Sequence, residues 1–70
     1  MLDNLKRNID ILENGLTLKT DYTVEIELLD SYESNLSVMR YLGGNLTEIR
    51  ELSKRIARIR EWIREEIINK

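Results

Sequence analysis

The sequence predicts a small, mainly helical α+β domain that occupies residues 1–70 as a single unit. The expected order is a helix, a short strand or hairpin, a second helix and a long last helix through which two copies dimerise. Three observations support this fold: a heptad-like apolar pattern in the last third, helix start and stop signals around a double glycine, and strict apolar–polar alternation over residues 22–28. An all-α helical bundle is the alternative.

The first helix is predicted over roughly residues 2–13. Asn14-Gly15 ends it, because glycine enters the left-handed conformation without a Cβ penalty. Leucine and isoleucine recur at helical spacing and form one apolar stripe. The stripe contains Leu2, Leu5, Ile9 and Leu12.

The next segment reads YTVEIEL and predicts a strand, because every second residue is apolar and several are β-branched. Asp30 and Glu33 then form a capping-box pattern, which indicates a helix starting at Ser31. A local hairpin keeps one face apolar only with a three-residue loop over residues 19–21. Pairing with the same strand of a second copy is the other possibility.

The same residues also fit a helix. Thr20 would then cap the segment, and the apolar residues would form a helical seam. The seam in that interpretation is Tyr22, Ile26, Leu29 and Leu36. The strand is the preferred interpretation.

The last helix carries the strongest pattern in the chain. Gly43-Gly44 ends the preceding helix, and Asn45 with Glu48 repeats the capping-box logic. The helix is expected from about Leu46 to Ile68, with apolar residues at the a and d positions of a short coiled-coil seam. We expect this seam to form the oligomer or partner interface, with the indole at its edge: Ile49, Leu52, Ile56, Ile59, Trp62 and Ile63.

Composition narrows how so short a chain is stabilised. At 70 residues a single core gives a small margin of stability, and many such domains add a disulfide, a metal or a second copy. Cysteine and histidine are both absent, which removes disulfides and ordinary zinc sites. Self-association as a homodimer or higher oligomer is the remaining reinforcement.

The residue types also argue against enzymatic function. Nucleophilic catalysis usually pairs an activated side chain with histidine, and the chain has none. The acidic side chains between Asp21 and Glu33 are expected to be solvated. We therefore expect no catalytic site, no cofactor, no bound metal and no small-molecule substrate. Without a signal-peptide pattern or a long apolar run, we expect an intracellular, cytoplasmic protein that does not bind membranes.

Nucleic-acid binding is the alternative function. From about residue 22 onward, the predicted order of strand, helix, glycine turn and helix is similar to that of ribbon-helix-helix regulators. That resemblance implies a dimer that reads the major groove with outward strand residues, but here these would include Glu25 and Glu27, which phosphates repel. The last helix offers a basic strip instead. The possible nucleic-acid contacts are Arg50, Lys54, Arg55 and Arg58.

The leading functional expectation is a non-enzymatic protein–protein interaction or assembly module. It would act as a homo-oligomeric adaptor or accessory subunit, binding itself and another protein. A small dimeric nucleic-acid-binding regulator is the alternative.

Overall fold

Three helices account for the regular structure of this chain. The computed structural model describes residues 2–68, in which α1 spans Leu2–Asn14, α2 spans Thr23–Tyr41 and α3 spans Leu46–Ile68. These residues extend over 41 × 18 × 17 Å. Only a short turn joins α2 to α3, so the two helices lie antiparallel as a helical hairpin.

α1 lies along this hairpin and runs in the same direction as α3. Its first residue, Leu2, lines one surface depression with Gly44 and Glu48, close to the start of α3. Near its other end, Asp10 forms an ion pair with Arg55 in the middle of α3. Because α1 is only 13 residues long, it covers the first half of α3 and leaves the second half to other segments.

The predicted α+β fold is wrong, because residues 22–28 are helical and no strand occurs within residues 2–68. The alternation is divided between two faces of α2. Tyr22 is buried and Ile26 packs against the core, whereas Val24 and Leu28 point outward. The all-α alternative describes the fold correctly.

The start of α2 explains why the predicted strand boundary failed. Asp21 accepts hydrogen bonds from the Thr23 N–H (2.9 Å) and from the Thr23 hydroxyl (2.5 Å), and the helix begins at Thr23, well before Ser31. The expected capping pair, Asp30 and Glu33, lies inside α2. Both carboxylates instead bind Arg60 of α3.

The turn into α3 follows the sequence closely. Gly43 has a φ of +84°, the left-handed conformation that favours glycine. Asn45 caps α3, since its side-chain oxygen accepts hydrogen bonds from the N–H groups of Thr47 (3.0 Å) and Glu48 (3.2 Å). The predicted start of α3 at Leu46 is therefore confirmed.

The core is formed where α1, α2 and the segment between them cover the apolar stripe of α3. This chain's own helices occupy the seam predicted for dimerisation through the last helix, and dimerisation at that seam stays a prediction. The buried apolar residues are Leu5, Ile9, Tyr22, Leu29, Leu36, Ile49, Leu52, Ile56, Ile59 and Ile63.

Candidate interaction surface

The residues predicted to form an interface on α3 lie mostly inside the bundle. Ile49, Leu52, Ile56, Ile59 and Ile63 are all buried, and a partner would reach them only by displacing α1 or α2. Binding of a second chain by these side chains stays a prediction of the sequence. In the single chain their contribution is to the core, through burial of apolar surface.

Trp62, placed by the sequence at the seam edge, is half-buried and packs against the core. Tyr22 meets it edge-on, with ring centroids 6.0 Å apart and an interplanar angle of 89°. The contact joins the N-cap residue of α2 to the second half of α3. Much of the indole surface is therefore covered by residues of the same chain.

The predicted basic strip divides into two groups. Arg50, Lys54 and Arg58 are exposed on the outer face of α3. Arg55 is only partly exposed and forms ion pairs with Asp10 and Glu13 of α1. Contact of the exposed three with nucleic acid stays a prediction, although the strand on which the ribbon-helix-helix resemblance depended is not present in residues 2–68.

The segment between α1 and α2 is held by polar groups. The Tyr22 hydroxyl donates to the Thr17 carbonyl (3.1 Å) and accepts from the Lys19 N–H (2.9 Å). The Lys19 ammonium pairs with Glu25, a carboxylate that is buried in the first turn of α2. Mainly because Lys19 donates to it, the pKa of Glu25 is lowered from its ordinary value.

A second ionic contact joins α2 to α3. Arg60 binds Asp30 and also Glu33, the latter through its Nε at 2.6 Å. The hydrogen bond from Arg60 to Asp30, with that to Glu33, raises the pKa of Arg60 above its ordinary value. These groups are partly exposed, so the pairs orient the helices more than they stabilise them.

The surface depressions of the bundle are open to solvent. One of about 430 Å³ lies between the start of α2 and the end of α3, and its lining is apolar apart from two arginines. Within residues 2–68, acidic side chains do not gather in any group of three or more that could hold a metal ion. In the same residues, no helix has the length and apolar character needed to cross a membrane.

The outward face of α2 is the most distinctive surface of the bundle. Six exposed residues recur at alternating spacings of four and three along it, and we call them the α2 stripe. Its four apolar members are exposed by 65% at Val24, 38% at Leu28, 55% at Val38 and 69% at Leu42. The stripe consists of Val24, Leu28, Ser31, Asn35 and Val38 of α2 and of Leu42, the C-cap residue that follows the helix.

The sequence contains a signal for this surface, although the same signal also predicts a strand. The alternation over residues 22–28 reflects an inner apolar stripe and an outer one on the same helix. Continuing the outer spacing from Val24 leads to Val38 and Leu42, which a strand interpretation separates from it. A test of residues 22–42 as one helix with two apolar faces would have revealed the α2 stripe.

Comparison with known proteins finds no matching family model, no similar curated protein and no similar solved structure.

Proposed function

We propose that this chain is a non-enzymatic protein-interaction module that binds a helical partner through the α2 stripe. The observation that carries the proposal is the exposure of four apolar side chains in one row on a helix whose opposite face already packs in the core. A row of apolar residues spaced by four and three fits between the side chains of a second helix.

The contrast with α3 supports this choice of surface. The apolar stripe of α3 is buried in the core, whereas the apolar residues of the α2 stripe lie outside the buried core. Exposed apolar side chains lose contact with water only when another chain covers them, which is a source of binding free energy. The module would thus use α3 and α1 as support and α2 as the binding helix.

Site-specific photo-crosslinking tests the proposal. The full chain, with the photoreactive residue p-benzoyl-phenylalanine replacing Val38, is expressed in the cells from which it comes. A matched variant carries the same group at Ala57, an exposed position on α3. Crosslinked peptides identified by mass spectrometry should show one defined helical segment at position 38 and not at position 57.

Two results would count against the interaction module. If positions 38 and 57 give the same set of crosslinked peptides, the α2 stripe has no selective partner. If neither position gives a crosslink while the chain is folded by circular dichroism, the stripe is not a binding surface in the cell.

A further inference from the structure

The α2 stripe has the same spacing when it is read from either end. Val24 and Leu42 are each nine residues from position 33, Leu28 and Val38 are each five, and Ser31 and Asn35 are each two. The ends are therefore apolar and the middle is polar in both directions. A surface with this property is complementary to a copy of itself turned through 180°.

We propose that the partner of the α2 stripe is a second copy of this chain, packed antiparallel on α2 about a two-fold axis level with residue 33. This proposal rests on the proposed function, because it names the occupant of the same surface. Val24 then lies opposite Leu42 of the second copy, and Leu28 lies opposite Val38. The two-fold axis repeats each contact, so the four apolar side chains of each copy are all covered.

The polar middle of the stripe fits this arrangement. Ser31 and Asn35 are exposed, and in the antiparallel pair each Ser31 lies opposite an Asn35. The amide of Asn35 can donate to the serine hydroxyl of the second copy, which gives two equivalent hydrogen bonds across the axis. A polar pair within an apolar seam costs stability but fixes the register, because shifting the helices leaves it unsatisfied.

The flanking charge favours the antiparallel direction. Glu27 borders the stripe, and on the same border Tyr41 is 90% exposed. Antiparallel packing places Glu27 near Tyr41 of the second copy, so that the phenol hydroxyl can donate to the carboxylate. The two Glu27 side chains are then separated by about 18 Å along the axis, from a rise of about 1.5 Å per residue. Parallel packing would instead place the two carboxylates at the same level on opposite sides of the seam, with Tyr41 of the second copy about 21 Å away along the axis.

The length of α2 sets the strength of the expected dimer. Its 19 residues extend over about 28 Å, so one helix pair buries less than the roughly 1,600 Å² of a standard interface. We therefore expect a reversible dimer that forms as the concentration rises. Sedimentation equilibrium from about 20 µM to about 2 mM covers the range in which such interfaces associate.

The decisive variants are Val24→Glu, Leu42→Lys and the double variant that carries both. An added acid at the start of α2 and an added base at its end both favour the isolated helix, so loss of association would not reflect unfolding. In the antiparallel dimer each single variant places a charge against an apolar side chain twice. The double variant places glutamate opposite lysine at both ends, whereas within one chain these positions are about 27 Å apart.

The wild-type mass should rise from 8.3 kDa toward twice that value with concentration. Each single variant should weaken association by at least about tenfold, and the double variant should associate about tenfold more tightly than either. Ala57→Glu, which adds a charge on the outer face of α3, should behave as the wild type.

Three outcomes would overturn the proposal. A wild-type chain that stays monomeric throughout excludes the second copy, and a crosslink from position 38 to a different protein would then leave the interaction module intact. Single variants that fail to associate without rescue in the double variant exclude this register. If association survives Val24→Glu but is lost in Ile67→Lys, the interface is at the exposed apolar end of α3 and not on the α2 stripe.

Discussion

The Tyr22 hydroxyl ties the segment between α1 and α2 to the bundle. The side chain is only 3% exposed, and its oxygen bonds both the Thr17 carbonyl (3.1 Å) and the Lys19 N–H (2.9 Å). Replacement of Tyr22 by phenylalanine removes that oxygen and keeps the ring that meets Trp62 edge-on. The change therefore isolates the two hydrogen bonds from the aromatic packing.

The size of the effect follows from these two bonds. A neutral hydrogen bond contributes about 1 kcal/mol net, and an unpaired buried group costs about 1–3 kcal/mol. Thr17 and Lys19 are exposed, so water can replace part of what their backbone groups lose. We expect Tyr22→Phe to lower the free energy of unfolding by about 1–2 kcal/mol, which in a domain of this size lowers Tm by about 5–15 °C.

Thermal unfolding followed by far-ultraviolet circular dichroism measures this shift. Tyr41→Phe is the matched control, because the Tyr41 side chain is 90% exposed and should unfold as the wild type at low protein concentration. Hydrogen exchange adds a local test, since the Lys19 amide should exchange faster in Tyr22→Phe alone. An unchanged Tm together with unchanged Lys19 exchange would refute the role of the hydroxyl.

Two further predictions concern the helix ends. Gly43→Ala should lower the free energy of unfolding by about 1–2 kcal/mol in urea titrations, because its φ of +84° strains an L-residue; Gly43→Asn should cost less, and equal losses would contradict this cause. The pKa of Asp21 is lowered chiefly by the Thr23 hydroxyl, and that of Glu25 by Lys19. Their stabilisation is present above the ordinary values of 3.8 and 4.5 and disappears as pH falls through the lower folded values. Tm measured against pH should therefore drop on acidification. The drop should be less steep in Asp21→Asn, because the asparagine keeps the accepting oxygen and does not titrate. Identical pH profiles for the two proteins would exclude a contribution of Asp21 to the pH dependence of stability.

The sequence was sufficient to predict the first and last helices. Each carries one apolar stripe at helical spacing, and each has a local end signal that works without tertiary contacts: Gly15 after α1 and Asn45 before α3. The structure ends α1 one residue beyond the predicted Glu13 and begins α3 at the predicted Leu46. Local sequence rules predict these two helices correctly because each helix has a single apolar stripe and therefore a single face to bury.

The second helix could not be predicted in the same way. Tyr22 to Leu28 satisfies the period of a strand because inner and outer apolar residues happen to alternate over seven positions. The Asp30–Glu33 pair imitates a helix start, yet its actual partner is Arg60, which is 27 residues or more away in the sequence. Tertiary contacts of this kind override local propensity.

The apolar pattern of α3 does not by itself distinguish a core from an interface. The heptad pattern of α3 identifies residues that must be covered, but it does not say whether a second copy or the same chain covers them. In this chain α1 and α2 supply the cover, so the strongest apolar pattern belongs to the core. The regularity of an apolar stripe therefore does not identify a free surface. A free surface is the stripe that stays exposed after the chain has folded.

The feature of α2 that misled the strand interpretation is also the one that supports a binding role. A helix at the edge of a three-helix bundle needs a single apolar stripe to fold, and a second one exposes apolar surface to water. The inner stripe contains the buried Leu29 and Leu36, so the outer residues Val24, Val38 and Leu42 contribute little to the core. Their self-complementary spacing is therefore better explained by association than by folding, because folding alone places no constraint on the outer face.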